Sequence, residues 1–417
     1  TTFLAMAYII AVNPNMLVVA GVPFDAALTA TCFGAAIMTI AMGLIANRPI
    51  ALASGMGINA IVAYTLCLGG AAVDWRVAMA IVFLEGIVIL ILVACGLRKA
   101  VMDAIPVSLR HAIGIGIGLF IAFIGLKGGG IIVANESTIL GLGDLSAPVA
   151  IVSLIAIAVA VVLQVLNVKG GLLISIIVAT IAGIPLGVTP LPSSWSFGLD
   201  FSAFAAPFQT IPGTDTMAIA QVFLQPALLL FVFSLLMSDF FDTMGTVVAV
   251  GEQADFVDEN GDVKDIQPIL MVDSAAAAVG GFVGASSVTS FVESTSGAAA
   301  GARTGLSNLV VGILFVIFAF ASPIIGMVSS SATCGALVVV GYLMLSDVIN
   351  IDWTRIEFAF PAFATIMGIP MTYSITNGIG FGFISYCVIM LVTGKAREVK
   401  PLMWVAAIAF LAMFILS

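Results

Sequence analysis

Long apolar runs, broken at regular intervals by Gly, Pro and charge, set the pattern of this chain. A helix needs about 20 apolar residues to cross a bilayer. Runs of that kind fall near 3–20, 27–46, 51–68, 76–97, 107–127, 148–167 and 170–187, then 219–250, 268–284, 288–303, 304–321, 331–348, 356–373 and 375–394. The pattern predicts fourteen spans. A last run, 401–417, is apolar but short, and reads equally as a fifteenth span or an interfacial helix. With the N-terminus in the cytoplasm, alternation puts Arg48, Arg98, Lys99, Arg110, Lys169, Lys264, Arg303, Arg355, Lys395, Arg397 and Lys400 inside and only Arg76 and Lys127 outside. That bias is the one expected of a multi-pass protein of the cell (inner or plasma) membrane. The chain opens at Thr1 inside an apolar run, which predicts a trimmed cytosolic leader rather than a cleavable signal peptide.

Composition agrees. Apolar residues make up 62% and charged residues 8%, too few to cover a water-facing surface, so lipid must solvate most of the chain. The net charge of −9 and the absence of a basic run argue against nucleic acid. Cys32, Cys67, Cys95, Cys334 and Cys387 lie apart in apolar stretches and read as reduced packing residues, with no metal site or disulfide framework. Two longer loops interrupt the spans. Residues 188–218 carry no Lys or Arg, as an external loop should, and 251–267 reads as a solvated hairpin turning at Glu259-Asn260-Gly261-Asp262.

Seven spans precede the 188–218 loop and seven follow it, so the two halves must be inverted relative to one another. The helix breakers repeat as well. Pro49 to Asn59 in the third span and Gly284 to Gly297 in the tenth both read as a short extended piece followed by a helix. The fifth and twelfth correspond more loosely, through Pro106, Gly114, Gly116 and Gly125 against Pro323, Gly335 and Gly341. Non-helical backbone inside a bilayer needs protein or a cavity to satisfy its polar groups. Two half-helices starting there would aim N–H groups into one cavity, an arrangement suited to a planar heterocycle with carbonyl and ring-nitrogen acceptors. The competing reading is that these small residues only let helices approach closely.

Five carboxyl groups fall inside spans: Glu85, Asp239, Asp242, Asp273 and Glu293. Each costs at least roughly 2.5–3.5 kcal/mol at the centre of a lipid-facing helix. They therefore face a wet cavity, carry a proton part of the time, or both, which is the chemistry of proton-coupled transport. Asp239 and Asp242, three apart, share a helical face and form a natural proton reservoir. Glu293 opens the tenth half-helix, and Asn59 across the repeat could read a nucleobase edge with it. Asp273 reads as a support for the site or as part of a polar seam, and Glu85 reads first as a structural residue. His111 reads as a solvated cap, and Gly114, Gly116 and Gly118 as packing glycines.

Met6-Ala-Tyr8-Ile9, Val12-Asn13-Pro14, Gly55-Met-Gly-Ile-Asn59, Asp239-Phe-Phe-Asp242-Thr-Met-Gly245-Thr246 and Glu293-Ser-Thr-Ser-Gly297 with Gly301-Ala-Arg303-Thr-Gly305 resemble the nucleobase–ascorbate (nucleobase:cation symporter-2) superfamily, in its AzgA-like branch of hypoxanthine, guanine and adenine permeases. The resemblance runs end to end. It implies an all-α polytopic protein, a seven-plus-seven inverted repeat with short extended pieces in the third and tenth spans. A core domain would be made of 1–103 and 215–328, a gate domain of 104–214 and 329–417, with the base bound between the third, eighth and tenth spans. It further implies dimers through the gate domain. In uracil and xanthine relatives the eighth-span acid is a Glu followed four residues later by His. Here those places resemble Asp242 and Thr246, which favours purine over uracil or xanthine.

The expectation is thus a secondary active transporter, not an enzyme, importing a purine base with a proton by an elevator-like movement, and requiring no cofactor. Glu293 and Asp242 would accept hydrogen bonds from the base. Asn59 and the backbone around Ser290 and Phe291 would complete the edge, Phe240 or Phe291 would stack on the ring, and Asp239 and Asp273 would tune protonation. The rivals are an anion exchanger or channel of the same fold, which should hold basic groups at mid-membrane, and a membrane-embedded enzyme, for which the Asp239/Asp242 spacing is a poor metal motif.

Overall fold

The computed structural model describes residues 1–69, 71–96, 105–192, 195, 197–257 and 263–416, with the backbone alone for Phe241 and Leu416. The apolar runs become helices whose ends fall within a few residues of those expected. The first half comprises α1 (Thr2–Met6), α2 (Ile9–Val19), α3 (Phe24–Ala41), β1 (Leu52–Ser54), α4 (Met56–Ala60), α5 (Trp75–Ala94), α6 (Val107–Gly128), β2 (Ile132–Asn135), β3 (Ile139–Leu142), α7 (Pro148–Val165) and α8 (Gly171–Gly183). The second comprises α9 (Ala218–Leu224), α10 (Leu228–Gln253), α11 (Ile266–Val283), β4 (Val288–Ser290), α12 (Ser294–Ala299), α13 (Leu306–Ala319), α14 (Ser322–Ile325), α15 (Ser330–Leu345), α16 (Ile356–Met371), α17 (Ile375–Val392) and α18 (Pro401–Leu416). Among the described residues nine helical stretches are long and apolar enough to cross a membrane, and five shorter apolar helices accompany them.

Two features depart from the sequence pattern. The run at 219–250 is two helices, because Pro226 cannot continue a helical hydrogen-bond ladder and Gln225 turns out of helical geometry before it. A hairpin, β2 with β3, fills the connection between α6 and α7, its turn held by Asn135 Oδ1 accepting from the N–H groups of Ser137 and Thr138. The final run forms helix α18. The hairpin tip at Glu259, Asn260, Gly261 and Asp262, like Arg98 and Lys99, lies outside the described residues; beside the tip, Val257 and Val263 pair as an antiparallel bridge.

Side chains are distributed inside out. Outward faces carry Val161, Val162, Ile181, Val310, Ile313, Ile317, Val405 and Ile408, all well exposed, whereas Asn13, Thr31, Asn59, Glu85, Asp273 and Asn308 are at most 1% exposed. A soluble protein could not afford that surface; a lipid-solvated one requires it. The described Lys and Arg residues sit at helix ends or in connections, several in ion pairs, such as Arg48 with Asp265 and Arg303 with Asp255.

Packing brings distant parts of the sequence together. Helix α5 lies along α11, and α3 along α13, while α6 packs on α15 and α16 and α7 on α8 and α15. The α5–α11 contact is backbone to backbone. A Cβ on Gly86 would stand 2.1 Å from the Ala278 nitrogen, and one on Gly281 would stand 2.5 Å from the Phe83 nitrogen. Both positions therefore exclude any side chain.

At the centre β1 and β4 pair antiparallel, with Leu52 opposite Ser290, Ala53 opposite Thr289 and Ser54 opposite Val288. This crossing places irregular backbone deep in the protein, and its polar groups are met there. Phe291 N–H donates to Ala51 O at 2.9 Å, and Gly55 N–H to Ser287 O at 2.9 Å. Ala51 N–H donates to Ser294 Oγ at 3.0 Å. Thr39 Oγ1 donates to Leu52 O and accepts from Leu52 N–H. Ser54 Oγ donates to Ala285 O, which also accepts from Asn13 Nδ2. Satisfying these groups internally is what lets two strands exist where only helices are otherwise tolerated.

Candidate functional site

The crossing also delivers functional groups to one place. Helix α4 begins directly after β1, and α12 shortly after β4, with Glu293 as the residue capping α12. Helix α10 runs past both. Gly57 of α4 faces Ile117 of α6 and, farther off, Ser238 of α10.

Asp242 is exposed, and its electrostatic neighbours are Asp273, which is buried, and Glu293, which is half-buried. Its accessible side lies beside these two carboxyl groups. Glu293 is half-buried and Val292 beside it is 49% exposed. One helical turn from Asp242, Gly245 is exposed, and a Cβ there would meet nothing within 4 Å. Glu293 accepts a 2.5 Å hydrogen bond from the Tyr8 hydroxyl, which also lies near Asp242. Tyr8 sits where α1 gives way to α2, with Ile10 N–H reaching back three residues to Ala7 O. Two carboxyl groups and a phenol thus come together at one place. Such a group of acceptors can hold a ligand that presents ring N–H or amino donors.

Asp273 has a different surrounding. It accepts from Thr243 Oγ1 at 2.6 Å, Ser290 Oγ at 2.7 Å, Ser290 N–H at 2.9 Å and, at 3.5 Å, Thr289 Oγ1. Thr243 and Thr289 are themselves 3.0 Å apart. This carboxyl ties α10, α11 and β4 into one unit and holds the strand that carries Glu293.

The sequence-derived candidates are thus partly brought together. Asp242 and Glu293 lie near one another. Asn59, fully buried on α4, has neither amide atom hydrogen-bonded within the described residues. Asp239 and Asp242 lie three apart on α10 but divide between environments, Asp239 being 1% exposed and Asp242 open. Around β4 the Ser290 N–H donates to Asp273 and the Phe291 N–H to Ala51 O. Phe240 is 1% exposed and Phe291 6% exposed.

Tyr8, Thr243 and Thr289 were missed by sequence reasoning as parts of the site. The signal for Tyr8 was a lone phenol in the apolar run from Phe3 to Val12. The two threonines gave none, since a buried threonine hydroxyl commonly bonds nearby backbone. The Tyr8 contact yields a prediction. Tyr8→Phe removes the donor while keeping the ring, so ligand affinity should fall by roughly 3- to 10-fold with little loss of folded protein. Equilibrium binding on the purified variant measures this.

The Permease family model matches residues 1–381. The chain is 40% identical over 426 residues to the Guanine/hypoxanthine permease PbuO of Bacillus subtilis, covering 100% of this chain and 96% of that one. It is 38% identical over 418 residues to the Adenine permease AdeP of Escherichia coli, covering 99% and 90%. Among solved structures, the transmembrane domain of a cyanobacterial bicarbonate transporter, BicA, superposes with a TM-score of 0.65 at 16% identity, over 90% of this chain and 96% of that one, a likeness of fold alone. Full-length identity at this level, together with many apolar helices, makes this chain a multi-pass membrane protein of the Permease family, the nucleobase–ascorbate transporters.

Proposed function

We propose that the chain is a secondary active transporter for a purine base (guanine, hypoxanthine or adenine) that moves its substrate together with a proton. The observation that carries the reading is the grouping of Asp242, Glu293 and Tyr8 at one place, with Asp242 exposed. A purine offers ring N–H and, in guanine or adenine, amino donors along an edge, which a carboxylate accepts well. The names of full-length relatives, a guanine/hypoxanthine permease and an adenine permease, support the same substrate class. No covalent step is required, and a carboxyl at the site that exchanges its proton can couple uptake to the proton gradient.

In this reading the chain crosses the membrane fourteen times, as two inverted sets of seven, with the N-terminus cytoplasmic. Residues 1–103 and 215–328 form the core that carries the site, and 104–214 and 329–417 the gate. The packing of α5 on α11 and of α3 on α13, against that of α6 on α15 and α16, supports this division. Movement of the core past the gate would carry the site across the bilayer. An anion transporter is the rival, because a bicarbonate transporter shares the fold. The carboxyl groups at the site, and the positions of the described Lys and Arg residues at helix ends, favour a donor-bearing base over an anion.

Radiolabelled purine uptake into proteoliposomes tests the coupling. With the proton gradient collapsed and a sodium gradient intact, accumulation should fall to the level of passive equilibration. Undiminished accumulation would overturn proton coupling.

A further inference from the structure

Glu85, near the middle of α5, has no place in the site described above. Its side chain is 0% exposed, and neither carboxyl oxygen has a hydrogen-bond partner among the described residues. Next to it, at Gly86, the backbone of α11 closes directly on α5. The charged groups facing Glu85 are Asp239 from α10 and Asp273 from α11, both acids. Of the other elements packed on α5, α9 and the Ala206–Phe208 turn bring no titratable residue. The Ile61–Cys67 turn brings Cys67 and Tyr64, whose ring meets Phe120 and Tyr373. Among the described residues a carboxylate anion at Glu85 would have neither donor nor cation, and burying one so costs several kcal/mol.

We propose that Glu85 is a proton-binding site of the transport cycle, neutral in the conformation seen here and exchanging its proton with the substrate site by way of Asp239 and Asp242. The arrangement supplies the path. Asp239 neighbours Glu85 in the interior, and the exposed Asp242 lies three residues farther along α10. On release the O–H bond of Glu85 breaks and one forms on an Asp239 carboxylate oxygen. The proton then passes to Asp242 and leaves from there, and reloading reverses these steps. Substrate would be held by Glu293 and Asp242, and the driving ion by Glu85, two functions linked through α10.

The proposal rests on the proton-coupled reading above, and the experiment separates the two. Reconstituted wild-type protein and Glu85→Gln are compared for purine-driven proton flux and for purine counterflow, which needs no net proton movement. The expected result is that proton flux in Glu85→Gln falls by about tenfold or more, while counterflow stays within about twofold of wild type. A Glu85→Gln protein with the wild-type proton-to-purine ratio overturns the role of Glu85 and leaves the functional reading standing. Wild-type protein that moves purine without protons overturns both the coupling and the role of Glu85. Wild-type protein that moves no purine overturns the functional reading and the proposal with it. If Glu85→Gln does not fold, infrared spectra of Glu293→Gln protein with carboxyl-labelled glutamate decide the matter. A protonated glutamate band is expected, and its absence overturns the proposal.

Discussion

Glu293→Gln should abolish high-affinity purine binding while leaving a folded, membrane-inserted protein. The amide oxygen of Gln can still accept from the Tyr8 hydroxyl, so the α1–α12 contact survives. What disappears is the charge that a ring N–H or amino group would meet, and the amide NH₂ now turns a donor toward the ligand's donors. A hydrogen bond to a charged group contributes about 1.5–3 kcal/mol, so affinity should fall by roughly 10- to 100-fold. Isothermal titration of wild type and variant with guanine and hypoxanthine measures it. Wild-type affinity in Glu293→Gln would remove this carboxyl from the site.

Asp273→Ala should damage the fold rather than the ligand's own contacts. The carboxyl gathers donors from Thr243, Thr289 and Ser290, and removing it strands a buried N–H and up to three hydroxyl groups where α10, α11 and β4 meet. Losing the acceptor of such a buried network costs about 3–5 kcal/mol. The expected outcome is a marked loss of folded yield and a lower melting temperature in detergent. Asp273→Asn, which keeps an acceptor oxygen, should fall between the two. An Asp273→Ala protein as stable as wild type would show that the strand crossing is held elsewhere.

These effects trace back to features of unequal visibility in the sequence. The helices could be read from apolar runs, because lipid solvation demands about the same length from each span and pushes Lys and Arg to the ends. The extended pieces at Leu52–Ser54 and Val288–Ser290 were legible too, since small and β-branched residues before a helix repeat in both halves. The break at Pro226 was overlooked because hydropathy stays high on either side of it, although proline chemistry alone marks it. The hairpin after α6 depends on Asn135 turn bonding, which leaves no hydrophobic pattern.

Within the site, Asp242 and Glu293 stand out as acids in apolar surroundings, whereas their partners do not. Tyr8 meets Glu293 across 285 residues, and Asp273 collects donors 16 to 30 residues away. Such contacts exist only once the helices have packed. The same holds for the commitment of the Ser290 and Phe291 N–H groups, which follows from strand register and not from residue type.

The central claim is that the site formed by Asp242, Glu293 and Tyr8 is where a purine is held. A cryo-electron microscopy structure of the purified protein with hypoxanthine tests it most directly. The account predicts density for the base at that site, with a ring N–H within hydrogen-bond distance of the Glu293 carboxyl and Asp242 alongside. Density for the base elsewhere in the protein, away from these three side chains, would contradict it.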